Sequence, residues 1–479
     1  MKDYYLKKAE ENLPFLFSEE IRPDTGAVAL KQGDSFVLDL GNHYVGHLSF
    51  KLWFLDDYID APVTLAVRFA ETARELSDDY GAYHGLLSAS WLPEDVVKID
   101  FPGIFRMPRR HAARFVRFTA VATPKPFSLS EFCFTATTSG DRTRVPPLVL
   151  EDPLLRRIDE VAVNTLKNCM QRVFEDGPRR DRRLWIGDYR LEALANYKTF
   201  QNAALVRRCL YLFAAAERNG AGFLPGFVYE NPIFYSGNWY LRDYSMMYVV
   251  SLADYLAHTK DEETFRDLLP VAEALLLAME ESKDENGIVR APEGDIFIDW
   301  CPDLRKETAF HGVYLYTLDR WHSALLSLGL PAQEIRRRLL AGREAALCHL
   351  FDPEANRPRL PYDGGEGSAH ATVWMILGGV IEGKEAQSAL SRILADPTAK
   401  QPFTPYMHHY VAEAIGMAEG KDAALAYIKR IWGGILTRGG DTFPEVYVKE
   451  DPEFSSNGDR MMDSMCHAWS CTPCYFIRA

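Results

Sequence analysis

The sequence predicts a mainly α protein: a ring of helical hairpins preceded by an antiparallel β-sandwich. Three observations predict it. Between about residues 34 and 138, apolar and polar residues alternate in short runs broken by Gly, Pro and Asp. After about residue 150 the hydrophobic period becomes helical and stays so. The length, 479 residues, exceeds one typical core, so two domains are the first expectation.

Residues 1–30 carry neither period and are expected to form a peripheral arm. A β-sandwich is expected over 31–145, its strands at Ser35–Leu40, His47–Phe54, Val63–Glu71, Val96–Phe101, Ala113–Val121 and Ser128–Thr138. The alternation lapses over 72–95, where Tyr80-Gly81-Ala82-Tyr83-His84-Gly85 predicts a long loop. Thr143-Arg144-Val145-Pro146-Pro147 reads as a linker. The helical domain is expected over 146–479. Asp152-Pro153 is a cap followed by proline at the first helical position, and Leu154, Leu155, Ile158, Val161 and Leu166 form a stripe. Further helical patterns cover 188–218, 239–258, 262–282, 304–328, 332–350, 366–382, 384–395, 404–419 and 421–436. About a dozen helices in hairpins can close into a ring that buries the inner ones on both sides.

A net charge of −13 argues against a polyanionic partner such as nucleic acid. No apolar run reaches the roughly 18 residues that span a bilayer, so no membrane partner is expected. The charged N-terminus lacks the apolar core of a secretory signal, which makes a cytoplasmic location the default. Eight cysteines are sparse for this length, and Cys169, Cys209 and Cys348 sit in apolar helical patterns, as reduced, buried thiols do. Cys471-Thr472-Pro473-Cys474 has the spacing of half a zinc or redox site, but no second pair accompanies it, so buried packing is expected. The adjacent His408 and His409 cannot easily face one ion, and a structural role is expected for them. No metal and no cofactor are expected.

One stretch concentrates the chemistry. Glu175 to Asp188 holds four carboxylates, four arginines and Trp185 around Gly177, Pro178 and Gly187, between two helical patterns. Gly177-Pro178 stops the preceding helix, and Asp188 is a candidate N-cap for the next. Later loops are rich in aromatics and carboxylates: Phe234 to Trp239, Asp295 to Trp300, Asp441 to Tyr447, and His467-Ala468-Trp469. Several such loops on one side of successive hairpins predict a cleft lined with aromatic platforms. Sugars suit such clefts, because their C–H faces pack on indole while their hydroxyls pair with Asp, Arg and His. Hydrolysis of a glycoside needs two carboxyl groups flanking the scissile bond, and the candidates are Asp181 and Glu445.

These residues resemble the bacterial α-L-rhamnosidases of the six-hairpin glycosidase type. That family writes the opening stretch as Asp-Cys-Pro, an arginine, a Glu often behind an Asp, an Arg, then Trp-x-Gly-Asp. Here it stands as Asp176-Gly177-Pro178, Arg180, Asp181, Arg182, Trp185 and Gly187-Asp188. With the motif form lacking the extra Asp, the Glu position falls on Asp181; with the other form it falls on Arg182. Thr442-Phe443-Pro444-Glu445 matches a Thr-x-x-Glu loop, Asp299-Trp300 a Gly-Asp-Trp-like element, and His467-Ala468-Trp469 a closing His-x-Trp. Leu38-Asp39-Leu40-Gly41 and Arg117-Phe118 look like the β-domain that precedes the barrel in that family. The resemblance implies an (α/α)6 barrel and removal of terminal α-L-rhamnose by an inverting mechanism, Asp181 the general acid and Glu445 the general base. Asp176, Arg180 and Asp188 would hold sugar hydroxyls, with Asp299 joining them. Trp185, Trp239, Trp300 and Trp469 would shape the pocket, with His467 beside the base. The C-terminal β-domain that many relatives carry is expected to be missing after Ala479.

The implied partner is a small-molecule carbohydrate, and a homo-oligomer stays open. Two other functions fit the same residues. One is a carbohydrate-binding barrel with weak or lost catalysis. The other is a barrel hydrolase for another sugar, such as an unsaturated uronide, which would use arginines on a substrate carboxylate.

Overall fold

The computed structural model describes residues 1–56, 58–230, 233–292, 294–358 and 367–479. Helix α1 (Lys2–Glu11) and strands β1 (Phe17–Ile21) and β2 (Val28–Leu30) open the chain. They correct the expectation of a peripheral arm. Tyr5 and Ala9 are buried in the helical core, Arg208 Nη1 donates to the Ala9 carbonyl at 2.7 Å, and β1 and β2 pair with a strand of the sheet. Two inward residues one helical turn apart left too faint a period to be read from sequence.

The alternating region forms β3 (Ser35–Phe54), β4 (Val63–Ala70), β5 (Glu94–Ile99), β6 (Gly103–Arg106), β7 (His111–Ala122) and β8 (Phe127–Thr138). Every pairing is antiparallel, in the order β1-β8-β3-β7-β4-β5, with β2 on β8 and β6 on β3. The expected two-sheet sandwich is here one continuous hydrogen-bonded sheet, because β3 is 20 residues long. Its first half pairs with β7, and its second half with β8 and β6. At the changeover stands Gly46, where any Cβ would collide with the Thr135 carbonyl. Leu48, Phe50, Leu52, Leu65, Phe118 and Phe134 make its core.

The helical region starts with α2 (Pro153–Cys169), where the Asp152 carboxylate accepts from the amides of Leu154 and Leu155, at 2.9 and 3.0 Å. The single pattern expected at 188–218 is two helices, α3 (Ile186–Lys198) and α4 (Ala203–Ala214). Between them Gln201 is left-handed (φ 54°), and Asn202 caps α4 by accepting from the Leu205 amide at 3.0 Å. Buried Phe200 carries the apolar period across the break, which hides it in the sequence. There follow α5 (Arg242–Thr259), α6 (Glu262–Glu280), α7 (Glu307–Ser327), α8 (Gln333–His349), α9 (Ala369–Leu377), α10 (Gly383–Ala395), α11 (Pro405–Glu419), α12 (Lys421–Leu436) and α13 (Pro473–Ile477). Of the pattern expected at 366–382, residue 366 lies outside the described residues.

Packing alternates between two layers. Helices α3, α5, α7, α9 and α11 pack on one another in that order, and the segment around α13 closes the circle between α11 and α3. Residues all round α5 and α7 are buried, whereas α8 and α10 bury one face only. Cys348 lies on the open face of α8 and is exposed, which corrects its expected burial. Cys471 and Cys474 are buried thiols, and Cys466 Sγ lies 3.9 Å from Cys169 Sγ. No described helix is long and apolar enough to cross a membrane.

Candidate active site

The loops that lead into α3, α5 and α7 meet the loops before and after residue 460 at one cavity of about 380 Å³. The loop after α2 forms its floor. Asp176 ties that loop into a ring, its amide donating to the Arg183 carbonyl at 3.0 Å and its carboxylate accepting from the Arg183 amide at 2.9 Å. At the tip Asp181 and Arg182 are both left-handed, with φ of 60° and 55°. Non-glycine residues adopt that region at a cost that the surrounding structure must offset.

The four arginines divide the work of holding this tip. Arg179 leaves for the β-domain, donating to Glu75 Oε2 at 2.6 Å and to the carbonyls of Met461 and Asp463 at 2.9 and 3.1 Å. Arg180 pairs with Glu445 through Nη2, donates from Nε to the Met462 carbonyl at 2.8 Å, and holds Nη1 3.9 Å from Asp181 Oδ1. Arg182 turns back onto the Pro178 and Arg110 carbonyls, at 2.9 and 2.8 Å. Arg183 lies over the rings of Phe227 and Tyr229 and stands 3.6 Å from Asp181 Oδ2. Asp181 is therefore faced by Arg180 and Arg183, not by both of its sequence neighbours.

Asp188 is not the N-cap of α3. The helix begins at Ile186, so Asp188 lies in the first turn with its carboxyl buried in the cavity. Its Oδ1 has no partner among the described residues; His467 Nδ1 stands 3.7 Å away and is likewise unpartnered. Tyr244 Oη lies 3.5 Å from Oδ2. Burial, with Glu445 and Asp181 nearby, pushes the Asp188 carboxyl well above the usual carboxylate range. Burial does the same to Asp176, with Asp181 and Asp188 adding to it. His467 is held neutral, well below the ordinary histidine value, by burial and then by Arg180.

Glu445 is pinned from behind. Its amide donates to the Ser464 carbonyl at 2.9 Å, and Trp469 Nε1 donates to its carbonyl at 2.9 Å. Trp469 packs against His467 with the rings tilted, their centres 4.2 Å apart. Trp185 meets Trp239 edge to face at 5.8 Å, and Trp300 meets Phe297 likewise at 5.1 Å. A pair of carboxylates bridged by one guanidinium, walled by indoles and open to solvent, suits a sugar ring and its glycosidic oxygen.

Residues 19–136 match the family model of the glycosyl hydrolase family 78 alpha-rhamnosidase N-terminal domain. Residues 148–315 match the bacterial alpha-L-rhamnosidase 6 hairpin glycosidase domain. A rhamnosidase from Klebsiella oxytoca, solved with rhamnose bound, superposes with a TM-score of 0.92 at 35% identity, covering 99% of this chain and 98% of that one. The chain belongs to the α-L-rhamnosidases of glycosyl hydrolase family 78. The family 78 rhamnosidase of Bacillus sp. GL1 shares the fold at a TM-score of 0.79 and 23% identity, over 95% of this chain and 46% of that one. An α-L-rhamnosidase from Streptomyces avermitilis does so at 0.73 and 18%, over 96% and 43%. The comparison with curated proteins gave no match.

In this glycoside hydrolase the cavity gathers Asp176, Arg180, Asp181, Trp185, Asp188, Trp239, Trp300, Glu445, His467 and Trp469. Asp299 stands apart from that lining. Its buried carboxylate accepts from His370 Nε2 at 2.7 Å, from the amides of Phe403 and Thr404 at 2.8 and 3.1 Å, and from Thr404 Oγ1 at 2.6 Å. Burial would raise its pKa, but the bond from His370 and those of Thr404 and Phe403 hold it below the ordinary value. Asp299 thus ties three loops together behind the pocket.

Sequence reasoning missed Leu87, Trp91, Phe227, Leu241, Tyr244 and Asn457 in the lining. It also missed Asp463, whose carboxyl accepts from Ser455 Oγ at 2.5 Å and Asn457 Nδ2 at 3.3 Å. Burial and the nearby Glu445 push Asp463 up to about 7. The run Ser455-Ser456-Asn457-Gly458-Asp459 was the one available signal, a turn-rich loop beside the closing motif. His408 and His409 face different neighbours: His408 Nδ1 lies 2.7 Å from Tyr427 Oη, and His409 Nε2 lies 3.8 Å from Glu413. Among the described residues no group of three or more His, Cys, Asp or Glu is placed to hold a metal ion.

Proposed function

We propose that this chain removes terminal α-L-rhamnose from glycosides with inversion at the anomeric carbon, on an (α/α)6 barrel. The observation that carries the reading is the Arg180 guanidinium lying against both Asp181 and Glu445, which gathers one candidate acid and one candidate base about a single cation. The rhamnose bound in the 35% identical neighbour supports the choice of sugar. The closed packing order of the inner helices supports the barrel.

In this mechanism Glu445 takes a proton from water as the water attacks, and Asp181 gives a proton to the departing oxygen. Arg180 holds Glu445 in place and balances the charge that remains. The unpartnered atoms of Asp188 and His467 bind sugar hydroxyls, since a hydroxyl can accept from one and donate to the other. Asp176 assists them. Trp185, Trp239 and Trp300 cover the apolar face of the ring, and Trp469 sets Glu445. A uronide substrate is disfavoured, because both arginines in the lining, Arg180 and Arg183, already face carboxylates of the chain.

Glu445→Gln is expected to lower kcat by about three orders of magnitude or more while rhamnose still binds, since a base acts mainly in the transition state. Near-normal turnover would remove Glu445 from the chemistry. One observation favours a second choice of acid: Asp188, its carboxyl pushed well above the usual carboxylate range by burial, lines the same cavity. Leaving groups decide between them. The Asn variant of the true acid loses turnover of alkyl rhamnosides far more than of nitrophenyl rhamnoside, whose phenolate leaves with little protonation. The first anomer of released rhamnose, read by NMR, tests inversion.

A further inference from the structure

The cavity changes character from floor to mouth. Asp176, Asp188, Glu445 and His467 at the floor are buried, whereas Trp239 is 38% exposed and Leu87 and Trp91 are half-buried. Leu87 and Trp91 do not come from the helical domain. They sit on the long loop between β4 and β5, the region where the alternating pattern lapses.

That loop is clipped to the helical side. The Leu86 amide donates to the Asn457 carbonyl at 2.8 Å, and the His84 amide donates to Asp459 Oδ2 at 3.2 Å. His84 Nδ1 lies 3.2 Å from the same oxygen. Within the loop, Tyr83 Oη donates to the Leu87 carbonyl at 2.8 Å. Neighbouring Leu86 is 81% exposed, so its backbone bond to Asn457, and not burial of its side chain, holds this stretch of the loop at the cavity.

We propose that the β-domain completes the active site: Leu87 and Trp91, facing Trp239, form the subsite that grips the leaving group, and Asp459 is the positioning residue that holds them there. This rests on the rhamnosidase reading. The chemistry of such a wall selects a leaving group with a flat apolar face, which an aromatic ring or the C–H face of a second pyranose supplies. A methyl leaving group offers no such face. The floor then sets which sugar is cut, and the β-domain loop sets what it is cut from.

The test compares kcat/KM for methyl α-L-rhamnoside, 4-methylumbelliferyl α-L-rhamnoside and a rhamnosyl-glucose disaccharide, in the wild type, Trp91→Ala, Trp91→Phe and Asp459→Ala. The expected result is a loss of about tenfold on a flat-faced substrate relative to the methyl glycoside in Trp91→Ala, rescued in Trp91→Phe. A relative loss on the aryl substrate alone identifies an aromatic partner, on the disaccharide alone a sugar, and on both a subsite that takes either. Asp459→Ala, outside the cavity lining, should reproduce the shift, carried by KM. Inhibition by free L-rhamnose reports the floor separately and should change less than twofold. Equal losses on all three substrates, or none, would overturn the subsite. Wild-type protein that cleaves none of the three would instead overturn the rhamnosidase reading beneath it.

Discussion

Asp299 shows how one residue can carry a motif and still stand outside the chemistry. As Asp-Trp beside an aromatic loop it resembles a sugar ligand, yet five donors already occupy its carboxylate. An asparagine there keeps the shape but loses the charge and turns an acceptor into a donor. Breaking such a buried cluster costs about 3 kcal/mol. Asp299→Asn is therefore expected to lower the denaturation midpoint strongly, with KM little changed in the folded fraction. A large KM effect without loss of stability would return Asp299 to the substrate. The arginines give the same lesson in reverse. Four in five residues looked interchangeable, and each has a different partner, because the left-handed tip at Asp181 and Arg182 fans their side chains apart.

At the scale of elements, the crossing of α3 on α5 sets the floor of the site. Gly187 makes the crossing possible: a Cβ there would sit 2.5 Å from the ring of Tyr244. Tyr244 in turn stands beside Asp188, so helix packing and the buried acid are coupled. Gly187→Ala is expected to cost about 1–3 kcal/mol from overpacking and to weaken sugar binding as Tyr244 shifts. Thermal unfolding and the inhibition constant of rhamnose measure the two effects. A variant with wild-type values for both would show that the ring has room to move. The helices themselves were largely legible, since Asp152-Pro153 and the apolar stripes act locally. The α3–α4 break was not, because Phe200 is buried like its helical neighbours.

Across the whole molecule, the sheet and the helices are joined through buried charge. His43 lies 3.0 Å from Glu71, Met465 donates its amide to Glu71 at 2.6 Å, and Arg179 reaches Glu75 and comes within 3.6 Å of Glu71. Burial alone would lower the His43 pKa, but Cys466 and Glu71 raise it to about 9. A histidine raised in the folded state adds stability that is complete below its unfolded value of about 6.5, and that stability is lost as pH climbs through 9. Glu71 is held below its ordinary value despite burial, chiefly by His43, so its contribution is present above about 4.5 and lost on acidification. Stability from this junction should peak between about pH 4.5 and 6.5 and decline toward 9. Denaturant melts across that range should show the decline in the wild type and flatten it in His43→Gln. An unchanged slope in that variant would remove His43 from the pH response.

By itself the sequence determined most of where the chain is strand and where it is helix, though not α1, β1, β2, β6 or the break between α3 and α4, and which loops hold the carboxylates and indoles. Those properties follow from spacing along a few residues, where side-chain period and turn chemistry act. It also determined Asp181 and Glu445 as the pair worth testing, through the residue types that glycoside chemistry needs. Tertiary structure alone decided which groups meet. It sent Arg180 to Glu445 and Arg179 to Glu75, took Asp299 out of the cavity, and brought in Phe227 and Tyr244. It also carried Leu87 and Trp91 from the sheet domain to a pocket built by helices. Such meetings depend on partners hundreds of residues apart, and a side chain's burial and charge state are properties of the packed surroundings, not of its neighbours in the chain.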